Sequence, residues 1–122
     1  MDTTPNNKEE KLSAIGINMS EGLEYCAGME EFYFEVLQEY AGSESEDSEF
    51  KKHLDSGDLK EYRTLIHGIK SSSKTIGATD LFSRAEKLEF AARDGDVDYI
   101  NANHGEFMKD YHKLIAGIRT LL

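Results

Sequence analysis

Apolar side chains recur at three- and four-residue spacing along most of the chain, and strict alternation of apolar and polar positions appears nowhere. The first spacing lines one face of a helix and the second would mark a half-buried strand, so the pattern predicts helices alone. Met29, Phe32, Tyr33, Val36, Leu37 and Tyr40 form one stripe, which closes at Gly42. Tyr62, Leu65, Ile69 and Ile76, with Ile66 at the margin, form another over Leu59–Ile76. Asp58 and Glu61 open it as an N-cap pair and Gly77 stops it. A third stripe carries Leu81, Phe82, Ala85, Leu88 and Ala92 between a cap at Thr79 or Asp80 and a stop at Gly95. The longest begins near Asp96 and joins Ile100, Phe107, Met108, Tyr111, Leu114, Ile115, Ile118 and Leu121.

Two shorter helices precede Asp58. One is opened by Ser20 and closed near Gly28; the other follows the capping-box pattern Ser43–Glu46 and runs through Phe50 and Leu54 to Gly57. Residues 1–12 are polar, hold the single proline and show no periodicity, which predicts a mobile tail ahead of one domain over 13–122. Four sizeable helices joined by short turns make antiparallel neighbours. The expected fold is therefore all-α, an antiparallel four-helix bundle with one or two extra N-terminal helices.

Composition narrows the class. A chain of 122 residues holds one modest core. Cys26 is single, so no internal disulfide forms, which fits a reducing cytoplasm. No signal peptide opens the chain, and no apolar run approaches the roughly 18 residues of a membrane span. The expected protein is cytoplasmic, with no membrane contact, and the initial Met1 favours a stand-alone chain. A net charge of −10 argues against nucleic acid. That charge is uneven. Residues 21–58 carry twelve acids against two lysines, whereas 59–76 carry Lys60, Arg63, Lys70 and Lys74 against Glu61 alone.

The basic helix carries the candidate chemistry. At about 100° per residue, His67 points almost opposite the apolar stripe. Arg63 and Thr64 lie one turn behind it, Lys70 and Ser71 one turn ahead, and Lys74 a further turn on. Gly68 costs a helix roughly 0.8–1 kcal/mol relative to alanine, and the serines a few tenths each. Small residues beside an exposed ring suit the close approach of another protein, and the lysines suit phosphoryl oxygens. On the next helix Glu89 falls between Phe82 and Ala85, inside the arc that packs on neighbours. A carboxylate there needs a partner. One reading is a marginal side chain reaching solvent; the other is a bond to Nδ1–H of His67 that leaves Nε2 unprotonated as a nucleophile. No phosphate loop of the ATP-binding kind is present. His53, His104 and His112 lack the Glu-x-x-His companions of di-metal bundles, so no metal site is expected. His104 reads as a satisfied core-edge histidine and Cys26 as a small buried side chain.

The stretch "HGIKSSSKTIGATDLFSRAEKLEFAARDGD", His67 to Asp96, resembles the histidine-containing phosphotransfer (HPt) domain family. The likeness lies in His-x-x-Lys, Ile-Gly-Ala and Leu-Glu-x-Ala-Ala-Arg-x-Gly-Asp, in that order and spacing; it is strong over Leu59–Asp96 and extends by helix order from about Ile15 to Leu122. The resemblance implies a bundle with His67 as phosphoacceptor, Lys70 as the phosphoryl-neutralising neighbour and Glu89 bonded to the histidine. Arg93 matches a basic position near the docking surface. Ser71 replaces the glycine that commonly follows the lysine, and Gly68 replaces a hydroxyl residue. Lys74, Arg63, Gly68 and Ser71 are the expected docking or charge-neutralising neighbours. It also implies a phosphohistidine carrier with no ATP site or cofactor of its own, the magnesium belonging to a partner receiver domain. Expected partners are response-regulator receiver domains and a hybrid sensor histidine kinase, with the chain itself a monomer. The competing reading is an acidic helical adaptor, or a degenerate relative, that binds a protein without phosphotransfer.

Overall fold

The chain folds as helices and connecting turns, seen in a computed structural model that describes residues 4–122. Among the described residues there are seven helices and no strand: α1 (Thr4–Ala14), α2 (Met19–Tyr25), α3 (Glu30–Gly42), α4 (Asp47–Ser56), α5 (Leu59–Ile76), α6 (Thr79–Asp94) and α7 (Val97–Leu121). The expected all-α bundle is correct. α5 packs along α6, α6 along α7, and α7 along α3, while α2 and α4 lie against α5 and α1 touches α2 and α7.

Each long helix is delimited by its own sequence. The carboxylates of Asp58 and Asp96 accept from the backbone N–H groups of Glu61 and Tyr99 at 3.2 and 3.1 Å, which satisfies donors a helix start leaves unpaired. α4, α5 and α6 end at Gly57, Gly77 and Gly95 in the left-handed conformation. Gly77 has a second reason to lack a side chain. Its φ is +86°, and an added Cβ would collide with the backbone carbonyl of Asn18. The two backbones also bond directly, Asn18 N–H donating to Gly77 O at 2.8 Å, which ties the start of α2 to the end of α5.

The core runs the length of the bundle. On α5 the buried stripe is Tyr62, Ile66, Ile69, Ser73 and Ile76, so Ile66 is central and Leu65 only partly buried, the reverse of the sequence expectation. Ser73 is accommodated because its hydroxyl pairs with the buried Tyr40 hydroxyl at 2.9 Å, linking α3 to α5. Tyr33 does the same one end up, donating to Ile76 O at 2.8 Å.

Other expectations need correction. Residues 4–12 are helical, not an aperiodic tail, and Leu12 joins the core at 2% exposure; residues 1–3 lie outside the described residues. The one apolar position in that polar segment is what docks α1. α2 is capped by Asn18 and not Ser20, its side chain accepting from Glu21 N–H at 3.1 Å. α4 starts from Glu46 without a side-chain cap, and α6 from Ala78, so neither the Ser43 capping box nor a Thr79 or Asp80 cap forms. Met29 and Phe32 are exposed, because α3 turns Tyr33, Leu37, Tyr40 and Ala41 inward.

Candidate functional site

The α5–α6 hairpin creates the site. Its antiparallel register sets His67 opposite Glu89, and the same register sets Lys74 opposite Phe82 one end along. His67 stands on the outer face of α5 with 57% of its side chain exposed, as the wheel predicts. Glu89 lies beneath it, 7% exposed overall. Of the two readings of Glu89, the structure shows the bonded one: His67 Nδ1 is 2.7 Å from Glu89 Oε2.

Lys70 completes a triad. Its ammonium is 2.7 Å from the other carboxylate oxygen, Oε1. That contact is an ion pair by distance, with angles outside those of a hydrogen bond, so Oε1 feels the lysine's charge without an aligned donor. Burial alone would raise the Glu89 carboxyl above its ordinary value. The contacts from Lys70 and His67 outweigh it and hold the group below that value, so Glu89 is an anion at neutral pH. An ionised carboxylate only accepts. The proton between the two groups therefore sits on Nδ1, and in the neutral ring the Nε2 lone pair points away from Glu89. The arrangement can present one nucleophilic nitrogen and stabilise positive charge that develops on the ring.

Other basic residues of the same two helices are engaged by neighbouring side chains. Lys74 lies over the Phe82 ring, 5.0 Å from its centroid. Arg93 stacks on Phe90 at 4.8 Å and bonds Asp94 through Nε at 2.9 Å. Asp94 is held below the ordinary carboxylate range by its bond to Arg93, with a smaller pull from Arg63. Phe82, Phe90 and Asp94 were missed by sequence reasoning. The first was findable, since the hairpin register follows once Glu89 is set opposite His67; the others act within their own helix turn. His104 is satisfied as expected, its Nδ1 2.9 Å from the Tyr62 hydroxyl, and Cys26 is buried. Among the described residues no three His, Cys, Asp or Glu side chains are grouped to hold a metal ion, and no helix is long and apolar enough to cross a membrane.

Gly68 and Ser71 are exposed beside the ring. A Cβ built on Gly68 meets no atom within 4 Å, so neither packing nor backbone conformation calls for glycine there. Ser72 returns its hydroxyl to Gly68 O at 2.9 Å. We expect Gly68→Ala to stabilise the fold by about 1 kcal/mol, read as a higher urea midpoint at unchanged slope. A lower midpoint would show that the glycine serves the fold itself. Along this flank Thr64, Gly68 and Ser72 border a groove of about 450 Å³, whose far wall includes Val36, Ser43 and Ser45.

The family model described as Hpt domain matches residues 35–116, a span that contains every residue of the triad. No curated protein and no solved structure matches the chain.

Proposed function

Because the chain belongs to the Hpt domain family, whose members serve phosphotransfer in two-component signalling and interact with receiver domains, we propose that it is a phosphorelay intermediate carrying the phosphoryl group on Nε2 of His67. The observation that carries this reading is the exposed ring whose Nδ1 is bonded to a buried, ionised Glu89. In the step proposed, the Nε2 lone pair attacks the phosphorus of a receiver's phospho-aspartate. The acyl O–P bond breaks, its electron pair stays on the aspartate, and an N–P bond forms. Nδ1 keeps its proton, so the ring becomes cationic, and Glu89 stabilises that charge across the 2.7 Å bond. Transfer to a second receiver is the reverse step.

Lys70 supports the step twice. It helps hold Glu89 ionised, and its ammonium has further N–H donors to offer the phosphoryl oxygens. Arg63, Lys74 and Arg93 add positive potential around the ring, with Gly68 and Ser71 leaving room for the receiver. Phosphoryl transfer of this kind rests on positioning and charge stabilisation. Magnesium is assigned to the receiver.

The test is transfer from a phosphorylated receiver to Glu89 variants. Loss of one charge-assisted hydrogen bond corresponds to roughly a tenfold or larger fall in rate, so Glu89→Ala should slow transfer on that scale, and Glu89→Gln, which can still accept from Nδ1, should slow it less. Equal rates in all three proteins would remove Glu89 from the mechanism.

A further inference from the structure

On the side of α7 facing α3 and α4, a second histidine is bonded through both ring nitrogens. His112 Nδ1 lies 2.5 Å from Glu44 Oε2, and Nε2 lies 2.7 Å from Asp47 Oδ1. A neutral imidazole has one N–H donor, and two carboxylates both require one, so both bonds form only in the imidazolium. We propose that His112 is a pH-sensitive clasp, fastening the α3–α4 connection and the first turn of α4 to α7 while it carries both protons.

The charged and titratable groups around the ring are consistent with this. From the connection Glu44 faces it, and from α4 Asp47, with Lys51 and Asp55 lining the adjoining groove. From α7 come Tyr111, whose ring is 5.2 Å away, and His104 and Lys109 in the same groove. Arg119 is ion-paired with Glu44 Oε1 at 3.2 Å and donates to Ala41 O at 2.7 Å, and the Tyr111 hydroxyl accepts from Ser45 N–H at 2.9 Å. Glu44 therefore keeps a cation when His112 is neutral. Among the described residues Asp47, 72% exposed, has no other, and the unprotonated Nε2 would turn its lone pair on that carboxylate. Release falls on Asp47 and the start of α4.

The sign follows from the direction of the shift. Burial would lower the His112 value, but the bonds from Asp47 and Glu44 outweigh it and raise the group above its ordinary 6.5. The stabilisation is complete below that ordinary value and is lost as pH rises through the raised one. The clasp stands independently of phosphotransfer at His67, yet it bears on the same flank. Ser43 and Ser45 of the fastened connection form one wall of the groove bordered by Gly68.

The experiment has two readouts on the unphosphorylated protein. Side-chain ¹⁵N spectra at pH 6 should show both His112 nitrogens protonated, with the transition above that of a free histidine. Amide-exchange protection of α4, corrected for intrinsic rates, should exceed that of His112→Gln at pH 6 by roughly three- to tenfold, because the Asp47 bond is solvent-screened. The excess should vanish as pH rises through that transition. A singly protonated His112 at pH 6, or an excess that does not change with pH, overturns the clasp. The spectra need no variant, so an ill-folded His112→Gln protein does not shield the proposal.

Discussion

The His67→Gln protein is expected to take up no phosphoryl group from a phosphorylated receiver, while the parent chain takes up one that is acid-labile and alkali-stable. Nothing else in the triad can replace the ring. Lys70 is an ammonium paired with a carboxylate, and Glu89 is buried with its charge already committed to Lys70 and His67. Glutamine removes the nucleophilic nitrogen but keeps an amide able to donate to Glu89, so the carboxylate is not orphaned. The site is on the surface, where a substitution of this kind changes stability by about 0.5 kcal/mol. Circular dichroism and the urea midpoint should therefore stay close to the parent's. Label persisting in this variant would assign the phosphoacceptor elsewhere. Lost label together with lost helicity would instead make the result a folding defect, and the spectra separate the two.

Gly77→Val should have the largest effect on the fold, about 3–5 kcal/mol of destabilisation. Three costs coincide at one residue. A β-branched side chain is forced to φ +86°, its Cβ meets the Asn18 carbonyl, and any retreat breaks the 2.8 Å bond from Asn18 N–H to Gly77 O. Gly22, across the same junction, has no room either, since a Cβ there would stand 2.8 Å from Ile76 O and collide with the Tyr33 ring. α2 therefore caps the end of α5 by direct backbone contact. Gly95→Val is the control. It shares a positive φ of 72° but a Cβ there meets nothing within 4 Å, so it should carry the conformational cost alone. Equal losses in the two proteins would remove the contact with Asn18 from the account.

Helix order, the glycine stops and the exposed face of His67 were legible because each follows from local periodicity or from a residue with one conformational use. The Glu89 partnership was legible as a requirement: a carboxylate on an inward arc needs a donor, and one basic helix lay next in sequence. What escaped depends on contacts between distant segments. Ser73 read as a poor helix former, and its use appears only when α3 brings Tyr40 to it. α1 escaped because Leu12 is one apolar residue in a polar run, too little for a periodic signal yet enough to enter the core. His112 showed no motif at all, since Glu44 and Asp47 lie more than sixty residues away and meet it only through the packing of α7.

Charge around the site also differs from a simple count of bases. Lys70, Lys74 and Arg93 are each engaged by Glu89, Phe82 or Asp94. The basic patch is thus a set of positioned side chains, able to turn to a phosphoryl group at the cost of modest surface contacts.

The most direct measurement is the nitrogen that carries the phosphorus. The receiver-phosphorylated protein, labelled with ¹⁵N in histidine and kept at alkaline pH, should show a ³¹P–¹⁵N coupling to Nε2 of His67 and to no other nitrogen. Phosphorus on Nδ1 would mean that the bond to Glu89 does not direct the chemistry, and phosphorus on another residue would contradict the account outright.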